Sequence, residues 1–348
     1  MIMQSGTIMQ SADGPRPVAR SGSAYAAAVD APLTGPAALR PLGRTGLDVT
    51  GVCIGTSPLA SVPQLYGYTV DAERAEATVE AVLDGPFTFL DTSNNYGDGS
   101  AETRIGAVIR RRGLPEGFVL ATKADADPVT GDFSGDRVRR SVEESLTRLG
   151  LDRLPLLYLH DPEFHVTFEE ATAPSGAVAA MVRLRDEGVV AHLGVAGGRL
   201  DLMRRFAATG VFEAVVNHNR WTLVDRSADP LLDECVAAGI AFVNGAPYGG
   251  GMLARGPAVQ PRYAYRETVE EVRAAVRAMQ AACERAGVPL AAAALQFSLR
   301  DPRVTSTIVG VSAPGRVAET LHLATLPVPE QLWPELDAAR PPTGADLD

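Results

Sequence analysis

The stretch that decides the fold is residues 118–160, which read FVLATKADADPVTGDFSGDRVRRSVEESLTRLGLDRLPLLYLH. Two short apolar runs, Phe118–Thr122 and Leu156–Leu159, flank the amphipathic segment Asp136–Leu149. A short apolar run is typical of a buried strand, whereas apolar residues recurring every three or four positions are typical of a helix. The order strand, helix, strand predicts a right-handed βαβ unit with parallel strands.

The same alternation continues on both sides of this unit. The other predicted strands are Val52–Ile54, Thr88–Leu90, Val190–Val195, Ala214–Val216, Ala241–Val243 and Thr307–Val311. The predicted helices cover Asp71–Asp84, Ala101–Arg111, Gly176–Glu187, Leu200–Ala208, Asp229–Ala238, Thr268–Ala286, Leu290–Arg300 and Pro314–Leu321. Eight strand–helix units favour the α/β fold class and a single-domain (β/α)₈ TIM barrel. Glycines in Leu42–Leu47 predict an N-terminal β-hairpin ahead of it.

An open dinucleotide-binding sheet is the alternative architecture. Its glycine motif has one weak match, at Gly249–Ala254. The match follows Pro247 and stands several residues after a strand rather than in the tight turn that the motif requires. A glycine-rich barrel loop explains the same residues.

Composition narrows the class of protein. The chain has 348 residues and a net charge of −10, which disfavours nucleic-acid and anionic-membrane partners. Three cysteines lie far apart, and no apolar run approaches the ~18 residues of a membrane helix. We expect a reduced cytoplasmic protein with a disordered leader over residues 1–38 and a barrel over residues 39–340.

Three successive predicted strands end in polar residues. Asp91, with Tyr96 five residues later, follows one strand, Lys123 follows the next and His160 the third. Catalytic residues of α/β barrels lie at this end of the strands. A tyrosine with a pKa of about 10 is a poor acid or base at neutral pH. A neighbouring ammonium, held by a buried carboxylate, lowers that pKa, and a histidine assists the proton transfer.

The lysine of this group is the only lysine in the chain. Every other strong cation is arginine, so Lys123 either survives by chance or is kept for a compact ammonium beside a titrating group. Each other member also has a structural interpretation. Asp91 fits a helix N-cap, Tyr96 an ordinary loop aromatic and His160 a satisfied buried histidine.

Together these motifs resemble the aldo-keto reductase superfamily. The resemblance rests on Leu42–Leu47, Asp91-Thr92-Ser93 with Tyr96-Gly97, Thr122-Lys123, His160-Asp161-Pro162, Ser145–Arg153 and Thr307–Val311. Within the superfamily the chain most resembles aldose 1-dehydrogenases of the fucose, galactose and arabinose type, and pyridoxal dehydrogenases. The resemblance implies NADP or NAD as cofactor, with Tyr96 as general acid/base, Lys123 and Asp91 tuning it, and His160 orienting the reacting oxygen.

The resemblance also implies a cofactor site that departs from the family pattern. The fifth strand of the family usually ends in Ser-Asn, which holds the carboxamide, but here it ends in Ala196-Gly197. At the end of the seventh strand, Gly245 stands where the family commonly has an aromatic residue that stacks on the nicotinamide. The sugar dehydrogenases often carry a similar Gly-Pro segment there. The implied cofactor residues are Gly55, Asp91, Ala196, Gly197, Asn217, Pro247, Tyr248, Gly249, Gly251, Leu253, Ser312, Arg316 and Glu319. Arg316 either clamps a 2′-phosphate or is a solvated helix arginine.

The substrate side is predicted from loop residues. The candidates are Ser57, Tyr66, Asn95, Tyr96, His160 and Trp221, and Trp221 alternatively fills a wall of the site. The histidines lack metal-ligand spacing, so no metal is expected. The expected function is hydride transfer between a nicotinamide and an aldose lactol or related carbonyl or alcohol, with a homo-oligomer left open. The alternatives are a tailoring ketoreductase acting on a deoxysugar or specialised metabolite, and a nicotinamide-sensing regulatory subunit.

Overall fold

The architecture is a β-hairpin followed by a closed barrel of eight parallel strands, in a computed structural model that describes residues 35–341. The hairpin pairs β1 (Leu39–Pro41) with β2 (Asp48–Thr50). Around the barrel the strands follow chain order, and the last pairs with the first. The barrel strands are β3 (Val52–Gly55), β4 (Phe89–Asp91), β5 (Val119–Ala124), β6 (Leu154–His160), β7 (Val190–Gly197), β8 (Ala214–His218), β9 (Ala241–Gly245) and β10 (Val304–Gly310).

Helices connect the strands and cover the outside of the barrel, as right-handed parallel crossovers require. They are α1 (Pro63–Tyr66), α2 (Ala72–Leu83), α3 (Ser100–Arg112), α4 (Gly135–Leu149), α5 (Phe168–Thr172), α6 (Ala177–Asp186), α7 (Leu200–Ala207), α8 (Asp229–Ala237), α9 (Met252–Arg255), α10 (Glu270–Arg285), α11 (Leu290–Leu299), α12 (Gly315–Thr325) and α13 (Leu332–Ala338). Within the described residues, no helix combines the length and the apolar character that crossing a membrane demands.

The predicted fold class is confirmed, and the open dinucleotide-binding sheet is wrong. Several strands run further than the apolar runs suggest. Strand β5 includes Lys123 and β6 includes His160, because the ladder hydrogen bonds continue through these polar residues. Helix α13 was not predicted. The disordered leader predicted over residues 1–38 lies, as far as residue 34, outside the described residues.

The hairpin covers the N-terminal end of the barrel. Gly43 has a positive φ of +57°, and a Cβ on it would lie 2.6 Å from the backbone nitrogen of Ala241. The neighbouring Arg44 donates hydrogen bonds to the carbonyl oxygens of Gly210 and Phe212, both just before β8. The C-terminal end of the strands is therefore the end on which loops build a site.

Side-chain alternation sets which polar groups face the barrel interior. Ala121 and Tyr158 belong to the inner cluster of buried residues, and Lys123 and His160 each lie two positions further along the same strand. Because successive side chains alternate between the faces of a strand, Lys123 and His160 point inward at the C-terminal rim.

Candidate active site

The centre of the site is a buried ion pair. Lys123 Nζ lies 2.6 Å from Asp91 Oδ1, and the two residues are 2% and 3% exposed. The ammonium also donates to the Thr92 carbonyl oxygen at 2.6 Å and to Tyr96 Oη at 3.1 Å. Asp91 is thus not a helix N-cap, since α3 begins at Ser100 after Gly99. Three acceptors around one nitrogen suit a compact ammonium and not a planar guanidinium.

Tyr96 lies on the loop after β4, between the ammonium and the histidine. Its ring is 4.7 Å from Lys123 Nζ and meets the His160 ring edge-on at 5.8 Å. Burial and the Asp91 carboxylate raise the pKa of Tyr96 well above its ordinary value. This direction is opposite to the sequence expectation, because burial and the nearby Asp91 carboxylate both disfavour the phenolate. Below its pKa Tyr96 is a neutral phenol that can donate a proton.

His160 is held from one side by a carboxylate that the sequence motifs did not single out. Asp125 Oδ1 lies 2.6 Å from His160 Nδ1, while its Oδ2 accepts from Ser93 Oγ at 2.5 Å. Burial alone would lower the pKa of His160, but the carboxylates of Asp125 and Asp161 outweigh burial and raise it. The alternation Lys123-Ala124-Asp125 is the signal that could have placed Asp125 near Lys123.

A second acid–base cluster adjoins His160. Asp161 Oδ1 lies 3.3 Å from His218 Nε2, and Glu163 offers a third group, with one atom of each within 4.8 Å of the others. Burial raises the pKa of Asp161, but the neighbouring histidines hold it well below its usual range. Glu163 Oε1 already accepts from the backbone nitrogens of Gly198 and Arg199. The absence of a metal from this protein stays a prediction.

The end of β7 lacks the side chains that the family pattern has there, and Glu163 fills the space next to Gly197. A Cβ on Gly197 would lie 2.5 Å from Glu163 Oε2. Asn217, the register partner of Gly197 on β8, is fully buried and donates to the Gly197 carbonyl oxygen at 2.8 Å. Within residues 35–341, Glu163 Oε2 and Asn217 Oδ1 have no hydrogen-bond partner. Two acceptors next to Gly197 are therefore available to a ligand that donates hydrogen bonds.

Other predicted cofactor residues fall into two groups at the same end of the barrel. Arg316 Nη1 contacts Glu319 at 2.7 and 2.6 Å, and both charges affect the pKa of Tyr248, which burial raises. The remainder line strand ends and the loop after β9: Gly55 ends β3, Ala196 lies in β7, Pro247, Gly249 and Gly251 follow β9, Leu253 is buried in α9 and Ser312 follows β10.

The predicted substrate residues do not all lie together. Tyr66 Oη donates to Ser57 Oγ at 2.7 Å, and the Tyr66 charge affects the pKa of Tyr96, so these residues adjoin the site. The amide of Asn95 donates to the Ala126 carbonyl oxygen, which gives it a role within the loop. Trp221 is 6% exposed and packs on the Phe297 ring of α11 at 5.4 Å, which fits the wall-filling interpretation.

Comparison with known proteins identifies the family. The Aldo/keto reductase family model matches residues 52–341. The chain is 33% identical to the D-threo-aldose 1-dehydrogenase of a Pseudomonas species, over 81% of this chain and 92% of that protein. It is 31% identical to the L-galactose dehydrogenase of Arabidopsis thaliana, over 82% and 88% respectively. It is 28% identical to the pyridoxal 4-dehydrogenase of Microbacterium luteolum, over 85% and 96%.

A solved structure shows the same fold. The holo form of aldo-keto reductase AKR11C1 from Bacillus halodurans matches with a TM-score of 0.69 and 20% identity, over 89% of this chain and 97% of that one. The chain belongs to the Aldo/keto reductase family. It is an oxidoreductase whose relatives include aldose dehydrogenases.

The buried ion pair makes a prediction about stability. Lys123→Met leaves the Asp91 carboxylate buried without its cation, and breaking such a pair costs about 3–5 kcal/mol. We expect a lower urea midpoint for this variant, and partial recovery in the double variant Lys123→Met/Asp91→Asn, which removes both charges. Urea unfolding at pH 7, followed by circular dichroism, measures both. Arg111→Met, which removes two ion pairs of a partly exposed arginine, with Glu76 and Glu80, is the control and should change the midpoint far less. A single Lys123 variant as stable as the wild type would contradict the ion pair.

Proposed function

We propose that the protein is an NAD(P)-dependent oxidoreductase that transfers a hydride between the nicotinamide and C1 of an aldose lactol, with Tyr96 as general acid/base. The observation that carries the proposal is the contact between Lys123 Nζ and Tyr96 Oη, at 3.1 Å, beside the inward-facing His160. The names of two relatives, an aldose 1-dehydrogenase and an L-galactose dehydrogenase, support the substrate class.

Two acceptor atoms that have no hydrogen-bond partner among the described residues support a nicotinamide cofactor. Its carboxamide has an NH₂ group that must donate two hydrogen bonds when buried. Glu163 Oε2 and Asn217 Oδ1 are acceptors without a partner in the described part of the chain, and both flank Gly197. These two residues would replace the Ser-Asn pair of the family pattern. When bound, the cofactor supplies the hydride acceptor or donor.

The protein residues would handle the proton. In oxidation, Tyr96 takes the proton of the anomeric hydroxyl while His160 holds the same oxygen. Lys123 stabilises the phenolate that Tyr96 must form, and Asp91 fixes the ammonium within reach. In reduction, the neutral phenol donates the proton to the carbonyl oxygen. Because the pKa of Tyr96 is raised, the fraction of phenolate grows with pH across the neutral and mildly alkaline range.

The Arg316–Glu319 pair bears on the choice between NAD and NADP. A guanidinium that clamps a 2′-phosphate needs free donors and net positive charge. Here two contacts from one guanidinium nitrogen go to the Glu319 carboxylate, which also repels a phosphate. We therefore expect NAD to be the better cofactor.

A spectrophotometric panel tests this function. Purified protein with NAD⁺ or NADP⁺ is offered fucose, arabinose, L-galactose, other free aldoses and pyridoxal, and reduced nicotinamide is followed by absorbance. We expect turnover of at least one aldose, faster with NAD⁺ than with NADP⁺. The rate should also rise between pH 7 and pH 9, because oxidation needs the base form of Tyr96. Tyr96→Phe should lose turnover and still bind the cofactor, since only the transferable proton is removed. Full activity in Tyr96→Phe would contradict the assigned acid/base.

A cofactor analogue tests the role of Glu163. Nicotinic acid adenine dinucleotide carries a carboxylate in place of the carboxamide, so it lacks the donor and repels Glu163. We expect the wild type to bind this analogue at least about tenfold more weakly than NAD⁺ in calorimetric titrations, a difference of about 1.4 kcal/mol. Glu163→Gln should reduce this difference in affinity between NAD⁺ and the analogue. Glu169→Gln, an exposed control on α5, should leave the difference unchanged. If Glu163→Gln and the wild type show the same difference in affinity between NAD⁺ and the analogue, Glu163 does not contact the carboxamide.

A further inference from the structure

Asp125 is not part of the sequence motifs described above, although its carboxylate contacts His160 at the C-terminal rim of the barrel. The residue follows β5 and is 5% exposed. Both of its carboxylate oxygens are used: Oδ1 meets His160 Nδ1 at 2.6 Å, and Oδ2 accepts from Ser93 Oγ at 2.5 Å and from the Asn95 backbone nitrogen at 3.0 Å. Three donors converge on one carboxylate, so it is rigidly placed and kept ionised.

This geometry decides which histidine nitrogen carries a proton. An ionised carboxylate only accepts hydrogen bonds, so His160 Nδ1 must be the donor. Ser93 Oγ, 3.1 Å from the same nitrogen, donates its own hydrogen to Asp125 and therefore also accepts from Nδ1. Nε2 lies 3.7 Å from Asp161 Oδ2, beyond hydrogen-bond distance. Nε2 is thus the nitrogen left for a substrate oxygen.

The charges around His160 come from three neighbouring strands and their loops. Asp125 follows β5 and Asp161 follows β6, and both lie against the imidazole. Lys123 on β5 opposes them, but its ammonium is already neutralised by Asp91 on β4. The remaining neighbour is the neutral phenol of Tyr96, and beyond Asp161 lies His218 on β8. Two carboxylates therefore face His160, and the one strong cation among these neighbours, Lys123, is already paired with Asp91.

We propose that Asp125 is a positioning residue that holds His160 as an imidazolium, with its Nε2–H directed at the reacting oxygen of the substrate. The positive charge that polarises a substrate carbonyl, or stabilises the oxyanion formed from a lactol, then resides on His160 and not on Lys123. This assignment of separate roles to His160 and Lys123 rests on the proposed oxidoreductase function. Lys123 stabilises the phenolate of Tyr96, and Asp125 stabilises the imidazolium of His160. Each of the two cations is thus paired with a separate buried carboxylate.

The raised pKa of His160 agrees with this arrangement in sign. A histidine with a raised pKa keeps its proton to higher pH than an ordinary histidine and loses it only above that pKa. Removal of the Asp125 charge leaves burial, which acts in the opposite direction. The imidazolium should then be lost at lower pH than in the wild type.

The experiment is a pH titration of the histidine side chains by ¹H–¹⁵N NMR, in wild type and Asp125→Asn. The chain has five histidines, and His160→Asn assigns the signal of His160. We expect the wild-type ring to carry protons on both nitrogens at pH 7. In Asp125→Asn we expect the pKa of His160 to fall by at least about one unit, a tenfold change in the protonation equilibrium. Asp127→Asn, an exposed carboxylate of the same loop, is the control and should leave the titration unchanged.

Kinetics supply the second readout. With the lactone of an aldose found in the panel, and reduced nicotinamide cofactor, Asp125→Asn should reduce kcat in the reductive direction by about 10²-fold, the usual effect of one acid–base group. Its pH–rate profile should shift to lower pH together with the NMR titration. Cofactor affinity should not change, because Asp125 contacts His160 and not the acceptors of Glu163 and Asn217 that flank Gly197. An unshifted titration of His160 in Asp125→Asn would overturn the proposal.

Two further controls keep the outcome decisive. If Asp125→Asn does not fold, Ser93→Ala removes one donor and keeps the carboxylate, so His160 should remain charged at pH 7. A neutral His160 in Ser93→Ala would contradict the proposal. The NMR titration needs neither substrate nor cofactor, so failure of the aldose panel with a shifted His160 titration would refute only the proposed function.

Discussion

The ion pair between Lys123 and Asp91 lies inside the barrel, where two unpaired charges would each be costly to bury. Its geometry constrains everything at the rim. The ammonium must reach Asp91 Oδ1, the Thr92 carbonyl oxygen and Tyr96 Oη at once, so strands β4 and β5 and the loop after β4 are fixed relative to one another. Burial and the Asp91 carboxylate both disfavour the phenolate, so the pKa of Tyr96 is raised well above its ordinary value.

The rim therefore contains two separate pairs of carboxylate and cation. Lys123 with Asp91 adjoins the Tyr96 phenol, while His160, held by Asp125, meets the same ring edge-on. Asp91, Lys123 and His160 lie in strands β4, β5 and β6, and Asp125 directly follows β5. Neither pair requires the residues at the end of β7. The departure there from Ser-Asn to Ala196-Gly197 is accommodated by Glu163, whose carboxylate occupies the space that a side chain at Gly197 would need. The end of β7 can thus change without disturbing these two pairs.

Sequence reasoning reached the fold because each strand–helix unit carries its own signal. The apolar runs at Leu156–Leu159 and Ala241–Val243 lie within β6 and β9. The bounds of the amphipathic segments agree with those of the helices found to within two residues, except that Pro314–Leu321 ends four residues before α12 does. The strand ends were harder to place, since polar residues such as Lys123 and His160 break the apolar pattern while their backbones remain in the ladder. The unusual single lysine pointed to the residue that the structure places at the centre.

Contacts between distant loops could not be read from local patterns. Asp125 reaches His160 across 35 positions of sequence, and Glu163 reaches Gly198 across the same separation. Periodicity places Asp125 on the face of Lys123, but only the closed barrel brings it to the imidazole. Likewise, the pKa of Tyr96 is raised by its burial and by the Asp91 carboxylate, whereas the residue types alone suggested the opposite direction.

Isotope transfer would test the proposed hydride chemistry most directly. An aldose deuterated at C1 is incubated with the protein and oxidised nicotinamide cofactor, and the reduced cofactor is analysed by mass spectrometry. Direct transfer from C1 predicts one deuterium in each molecule of reduced cofactor. Reduced cofactor without deuterium would show that the hydrogen comes from elsewhere and would contradict the assignment of C1 as the hydride donor.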